Sequence, residues 1–372
     1  VIEPPSLATT RLDHIEANLA AIRTRVGQRL VLAAVKADAY GHGAVEVSRH
    51  LQQTGAADAL GVATVAEGVE LRRAGITLPI LKLSVARGPE VATALEHTLE
   101  LVAVDELSIT EAGRAATAIG HEAVLHLKVD TGMRRLGCEP ADAVRLAELA
   151  DATPGVRLHG LMSHLPLSDA AAGDDVTASQ VAVFGEVAAR IEAARGPVLK
   201  HLANSGGVLG HPSTWFDLVR PGVMIYGSYP DPTTPRTVEL SPGLEWRSRV
   251  TFVKPVRAGE TVGYGRTWTA PRDTWIATVA VGYGDGYSRS LSNRGRMLAG
   301  GVSYPIAGRV SMDQTMIDVG PEPAVAVGDD VVLLGRSGDE EITAAELAGL
   351  EGTISYEVTC RIGRRVARAY VA

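Results

Sequence analysis

Between residues 12 and 230, short apolar runs alternate with amphipathic stretches, and this alternation restricts the fold more than any other feature of the sequence. The runs lie at 30–35, 60–63, 80–83, 101–103, 124–128, 158–162, 200–203 and 218–220. Each is rich in Val and Leu, as expected of parallel strands covered on both faces. The intervening stretches have helical spacing. Across 65–74, Val65, Val69 and Leu71 stand apart from Glu67, Glu70, Arg72 and Arg73. Across 177–194, Val181, Phe184, Val187 and Ile191 recur at helical intervals and predict the longest helix. Eight βα units predict an α/β fold with an N-terminal (β/α)8 TIM-like barrel rather than an open doubly wound sheet.

After residue 230 the pattern changes. Tyr229-Pro-Asp-Pro-Thr-Thr-Pro235 reads as a linker or exposed loop. Alternating segments follow at 246–256, 275–281, 304–309, 315–319, 330–334 and 365–371, separated by Gly-rich turns. They predict a second domain made of β-strands. The expected division is a barrel over 12–232 and a β-rich C-terminal domain over 233–372, with 1–11 as a further piece that could pack on the latter. A chain of 372 residues can bury two cores without metal or disulfide staples.

Composition excludes several classes. With 46% hydrophobic and 21% charged residues the chain is not a disordered one. Its formal charge of −7 argues against nucleic acid or anionic lipid as the main partner. No run of about 18 apolar residues occurs, so no membrane span is expected. The cytoplasm is the expected location, with a signal peptide lost ahead of Val1 left open. Cys138 and Cys360 make no disulfide framework. Eight of the nine Tyr lie after residue 220, so the two ends differ in chemical character.

Barrel sites form at the C-terminal ends of the strands. The first apolar run ends in Val35-Lys36-Ala-Asp-Ala-Tyr40-Gly-His-Gly43. Lys36 is therefore a candidate Schiff-base lysine. Taken alone, the motif reads more readily as a lysine whose head snorkels to water. Later strand ends alter that balance. They carry Lys128-Val-Asp130-Thr-Gly-Met-Arg134-Arg135, Ser163-His164, Asn204-Ser205-Gly-Gly207 and Arg220-Pro-Gly222-Val223. Small-residue turns after the seventh and eighth strands are where barrels bind phosphate. The pattern predicts a phosphorylated cofactor held by a lysine. The ten His show no zinc spacing, and no metal site is expected. Asp38, His42 and Asp130 read as hydrogen-bonding loop residues, and the pair His159 and His164 as one core and one site residue.

Ala34-Val-Lys36-Ala-Asp-Ala-Tyr40-Gly-His-Gly43 resembles the pyridoxal 5′-phosphate (PLP) lysine motif of the alanine racemase family. The likeness begins at Leu12-Asp13 and Asn18. It continues through Lys128 to Gly137, His164, Asn204-Ser205, Arg220-Pro-Gly222, Gly263-Tyr264-Gly265, Gly282-Tyr283-Gly-Asp-Gly-Tyr287, Gly308-Arg309-Val-Ser-Met312-Asp313-Gln314 and Ile354-Ser-Tyr356-Glu. No single piece decides; the ordered set is specific. The resemblance implies a head-to-tail homodimer with two shared active sites, PLP as cofactor, and interconversion of L- and D-alanine, the latter for bacterial cell wall.

The resemblance also implies roles. Lys36 would hold PLP and act as base on one face of the substrate, Tyr264 on the other. A phenol is a poor base at neutral pH unless cations stabilise it, a role open to Arg220 and His164. Tyr40, Ser205, Gly222, Val223 and Tyr356 would hold the phosphate, with Leu83, His164 and Asn204 completing the cofactor site. His164 would orient Arg220. Arg220 would face the pyridine nitrogen and leave it unprotonated, which favours return of the proton to Cα over transamination. Arg135 would bind the substrate carboxylate or the cofactor's phenolic oxygen. Tyr283, Met312 and Asp313 would bind substrate, the first two reaching in from the partner chain. Asp169, Arg289, Arg309 and Ile354 match the corridor leading to the site. Lys128 would be carbamylated and hold Arg135. Three departures stand out: Pro166 stiffens the loop after His164, Ser311 stands where a Cys is common, and Arg134 fills a variable slot. Alternative readings are a racemase for serine or larger amino acids, a PLP-dependent decarboxylase, for which Cys360 lacks the expected flanks, and a non-catalytic PLP carrier.

Overall fold

A computed structural model describes residues 5–322 and 324–372. By its contacts the chain divides into two units. One comprises Ile15–Tyr40 and Ala44–Ser241; the other comprises the chain up to His14, Gly41–Gly43 and Pro242–Ala372. The boundary falls after Ser241 rather than after residue 232. The reason is that the segment after residue 232 is tied to the barrel: Thr234 Oγ1 donates to the Asp169 carbonyl, and Thr237 Oγ1 donates to the Leu209 carbonyl at 2.7 Å.

The first unit is a barrel of eight parallel strands. They are β1 (Leu30–Ala34), β2 (Ala59–Val62), β3 (Ile80–Val85), β4 (Glu100–Ala103), β5 (Ala123–Lys128), β6 (Val156–Met162), β7 (Leu199–His201) and β8 (Leu218–Val219). Each pairs with the next from β1 to β7, and β1 also pairs with β8 through Leu30 and Leu218. The last seam is closed by two backbone bonds, Asp217 N–H to Lys200 O at 3.0 Å and Arg220 N–H to Ala203 O at 2.9 Å. Leu32, Leu81, Val102, Met162 and Leu218 come from five strands and meet in one buried interior cluster. Burying such a side chain contributes about 2 kcal/mol.

The surrounding helices follow their apolar stripes. Helix Leu12–Val26 buries Ile15, Leu19, Ile22 and Val26, one face at three- and four-residue spacing. Asn18 on it clamps the barrel's end, exchanging bonds of 2.8 Å with Ser241 in both directions. Helix Val65–Arg73 opens with a capping box between Thr64 and Glu67. The longest helix runs over Asp174–Arg195 and buries Phe184, Val187 and Ile191.

The second unit is a strand-rich domain around a nine-stranded sheet. Its backbone is the long strand Leu244–Val256, which pairs with Leu7–Arg11, Thr274–Val279 and Asp330–Ser337. Leu7–Arg11 in turn pairs with Ala367–Val371. Residues 1–4 of the expected N-terminal piece lie outside the described residues. Trp246, Tyr287, Met297, Val331 and Ile342 centre the core. The sheet carries strands Arg296–Ala299 and Glu340–Ile342 that the sequence pattern does not show. It is not made of strands alone, because helices Ala344–Glu351 and Ser355–Cys360 follow. The strand expected at 304–309 is Val302–Pro305 instead; Gly308, at φ +86°, turns the chain away. No helix among the described residues is long and apolar enough to cross a membrane.

Candidate active site

Lys36 follows the first barrel strand after Val35 and opens an unusual turn. Ala37, Asp38, Ala39 and Tyr40 all have φ of 53–55° and ψ of 35–52°, one turn of left-handed helix without a glycine. For L-residues that geometry costs roughly 1–2 kcal/mol each, so the turn exists only because its surroundings hold it. Ala39 N–H reaches Val35 O at 2.8 Å, the Glu67 carboxylate accepts Ala37 N–H at 2.7 Å, and Asp38 accepts Ala44 N–H at 2.7 Å. The turn delivers the Tyr40 ring against Tyr226, with centroids 5.1 Å apart.

Tyr40 also reaches the last βα turns. Gly222 lies so close beneath its hydroxyl that a Cβ there would sit 2.5 Å from Oη. The Gly222 N–H donates to Ser205 Oγ at 2.9 Å. Ser205 is set by Asn204, whose Oδ1 accepts Gly207 N–H at 3.0 Å and Ser168 Oγ–H at 2.7 Å. Val223 follows, buried. A phenol, a hydroxyl and the backbone of two small-residue turns thus converge at one side of the barrel mouth. Leu83 packs against the interior cluster below.

The other side is cationic. Arg220 is 5% exposed. Its Nη2 donates to Ser163 O at 2.6 Å and Leu202 O at 3.1 Å, and Nη1 meets His201 Nδ1 at 3.0 Å. His164 Nδ1 is a further, longer partner of Nη2 at 3.4 Å, so the carbonyls and His201 hold the guanidinium most closely and His164 stands beside them. Burial brings Arg220 down to about 10, still far above neutrality. Burial and then the charges of Arg220, Lys128, Arg135 and Lys36 hold His164 well below the usual histidine range. It is neutral at pH 7 and supplies no second cation. Lys128 is drawn down to about 8 by burial, then by Arg220, Arg135 and Lys36. It forms no salt bridge among the described residues. Asp130 forms no ion pair with it and opposes the shift only weakly; its Oδ1 accepts the N–H groups of Gly132 and Arg134. Asp169 is raised by burial and by Asp231, and packs against Gly206.

The C-terminal unit presents the remaining residues. Tyr264 stands on a turn between Gly263 and Gly265 and is 72% exposed, with the Arg309 guanidinium beside Gly265. Tyr283 and Met312 sit on two turns locked together by Tyr283 N–H to Ser311 O and Gly284 N–H to Met312 O. Gly282 permits this approach, since a Cβ there would lie 2.3 Å from Ser311 O. Arg365 clamps both turns, bonding Asp285 and Asp313 at 2.7 Å each. Arg289 and Ile354 are exposed, and Tyr356 is half-buried on helix Ser355–Cys360.

Residues 10–230 match the family model "Alanine racemase, N-terminal domain", and residues 243–370 match "Alanine racemase, C-terminal domain". The chain belongs to the alanine racemase family. It is 50% identical over 368 residues to an alanine racemase of Cutibacterium acnes, covering 99% of this chain and 98% of that one. It is 42% identical over 367 residues to that of Symbiobacterium thermophilum, at 98% and 97% coverage. Among solved structures it superposes on the alanine racemase from D-cycloserine producing Streptomyces lavendulae with a TM-score of 0.93, at 37% identity, covering 100% and 98% of the chains. Two residues outside the alanine racemase motifs also shape the barrel side. Glu67 holds the Lys36 turn, and its signal was the capping-box spacing from Thr64. His201 holds Arg220, and its only signal was a histidine inside an apolar run.

Proposed function

We propose that this chain is a PLP-dependent alanine racemase, with Lys36 and Tyr264 as its two acid–base groups. The residues present fit a phosphorylated pyridine aldehyde. Lys36 supplies an amine, Tyr40, Ser205, Gly222 and Val223 a small-residue cradle for a dianion, and Arg220 a donor for a ring nitrogen. Tyr356 of the C-terminal unit adds a further phenol. Bound PLP supplies the electron sink that acidifies the α-hydrogen of an amino acid.

The observation that carries this reading is Arg220. A guanidinium fixed by two carbonyls and His201 donates hydrogen bonds and keeps its proton, so it cannot pass one to a ring nitrogen. Return of a proton to Cα is then favoured. Lys36 takes or returns that proton on one face and Tyr264 on the other. Arg135 binds the substrate carboxylate. Lys128, partly neutral near pH 8, has the lone pair needed to bond the carbon of CO2 and release a proton, giving a carbamate that answers Arg135.

Tyr264, Tyr283, Met312 and Ile354 are 72%, 43%, 53% and 55% exposed on the C-terminal unit. Such exposure of apolar side chains supports a second copy of the chain as their partner, in a homodimer whose sites are shared. The test is borohydride reduction and peptide mapping, with racemisation of L-alanine, L-serine and L-lysine followed by polarimetry. Label on Lys36 and turnover of alanine are expected. Label on another lysine, or no turnover of alanine, overturns the reading.

A further inference from the structure

A line of hydrogen bonds leaves Arg220 and crosses the barrel interior. Arg220 Nη1 meets His201 Nδ1 at 3.0 Å, His201 Nε2 meets His126 Nδ1 at 2.8 Å, and His126 Nε2 meets Glu100 Oε2 at 3.0 Å. His201 is fully buried, His126 nearly so, and Glu100 is 20% exposed. The four residues come from the strand ends of β8 and β7, the middle of β5 and the start of β4. The line thus runs from the mouth of the barrel to its opposite end.

Its direction is fixed by chemistry. Arginine only donates, so His201 Nδ1 is a lone pair and its proton is on Nε2. His126 Nδ1 must accept that proton's bond, so His126 carries its own proton on Nε2 and gives it to Glu100. Glycine makes room: a Cβ on Gly160 would come 2.1 Å from His126 Nδ1. The remaining acceptors of Arg220 are two neutral carbonyls and, at 3.4 Å, the neutral His164, and its charged neighbours Lys36, Lys128 and Arg135 are cations that with it depress His164. We propose that Glu100 is a positioning residue for Arg220, its carboxylate fixing both histidine tautomers and supporting the guanidinium charge through His126 and His201. Glu100 is the only carboxylate in this hydrogen-bonded line. The groups facing it are His126, His159, Arg157 and Arg72.

This inference rests on the role given to Arg220 above, and the experiment separates the two. The full chain, labelled with 15N-histidine and purified with its cofactor, is compared with Glu100→Gln and Glu100→Ala. In the unmodified protein, 15N spectra should show His126 and His201 neutral and protonated at Nε2. Glu100→Gln keeps shape and an acceptor but removes the charge. It should lower kcat roughly fivefold with KM little changed, and move the alkaline limb of the kcat profile to lower pH. Glu100→Ala should also mix the tautomers of His126. A proton on His201 Nδ1 in the unmodified protein, or Glu100→Gln with unaltered kcat and pH profile, overturns the proposal. Failure of the unmodified protein to racemise alanine would instead overturn the reading of the site, while the tautomer spectra still decide the line itself.

Discussion

The Glu67 carboxylate accepts the backbone N–H of Ala37 at 2.7 Å, the first amide after Lys36. Its other oxygen accepts Ala63 N–H at 2.7 Å and Thr64 N–H at 3.0 Å. One side chain therefore joins a helix start to the left-handed turn. Glu67→Ala leaves three amides without this acceptor and should cost about 2 kcal/mol in denaturant unfolding. It should also lower kcat, because the turn that aims Lys36 loses a restraint. Unaltered stability would show that water replaces the carboxylate at no cost.

Lys128 makes a pH prediction with a definite sign. Unfolded, its amine titrates near 10.5; folded and unmodified, near 8. Below about 8 both states carry the proton and burial of the charge destabilises the fold. Between about 8 and 10.5 the unfolded state binds more protons, so stability rises with pH. In buffer stripped of CO2, Lys128→Met should be more stable than the unmodified protein at pH 7, by up to about 3 kcal/mol. The advantage should shrink toward pH 10. Adding bicarbonate should shrink it at pH 7 as well, if a carbamate forms. Parallel unfolding curves with and without bicarbonate check both statements.

Tyr264 gives a test of shared sites. Homodimers of Lys36→Ala and of Tyr264→Ala should each lose nearly all racemisation, since each lacks one of two bases. Mixed, subunit-exchanged heterodimers should regain activity if Tyr264 serves the partner's Lys36, because one site then holds both defects and the other none. Fully exchanged heterodimers without activity would show that each chain completes its own site.

Arg134 sits at φ +56° without being glycine. Its ion pair with Glu139 is two-thirds exposed and contributes little. Arg134→Gly should therefore raise thermal stability slightly, by at most about 1 kcal/mol, through relief of the left-handed backbone. A drop in melting temperature would show that the Glu139 pair outweighs the strain.

The barrel was legible because strands buried on both faces read as short, mostly apolar runs at regular intervals, and all eight appear within two residues of the expected bounds. Leu7–Arg11 escaped notice because its partners, Leu244–Val256 and Ala367–Val371, lie more than two hundred residues away, and no local pattern announces such pairing. The cation cluster was legible at strand ends. Its protonation states were not: they follow from burial, which neutralises His164 and weakens Lys128. Of His159 and His164, read in the sequence as one core and one site residue, His159 lies edge-on to His126, 5.4 Å away. Histidines on separate strands have no common spacing, so His126 and His201 were silent until the barrel closed.

The turn after Lys36 also has a stereochemical consequence. Ala37 is exposed and lies at φ 53° and ψ 52°, the mirror image of ordinary right-handed helix. What is strained for an L-configured residue is relaxed for its enantiomer, since the Cβ no longer meets the following carbonyl oxygen. A semisynthetic chain with D-alanine at position 37 would therefore hold this turn with less strain than the natural one. The amino acid that we propose this chain produces is the one whose handedness its own backbone, at that position, already favours.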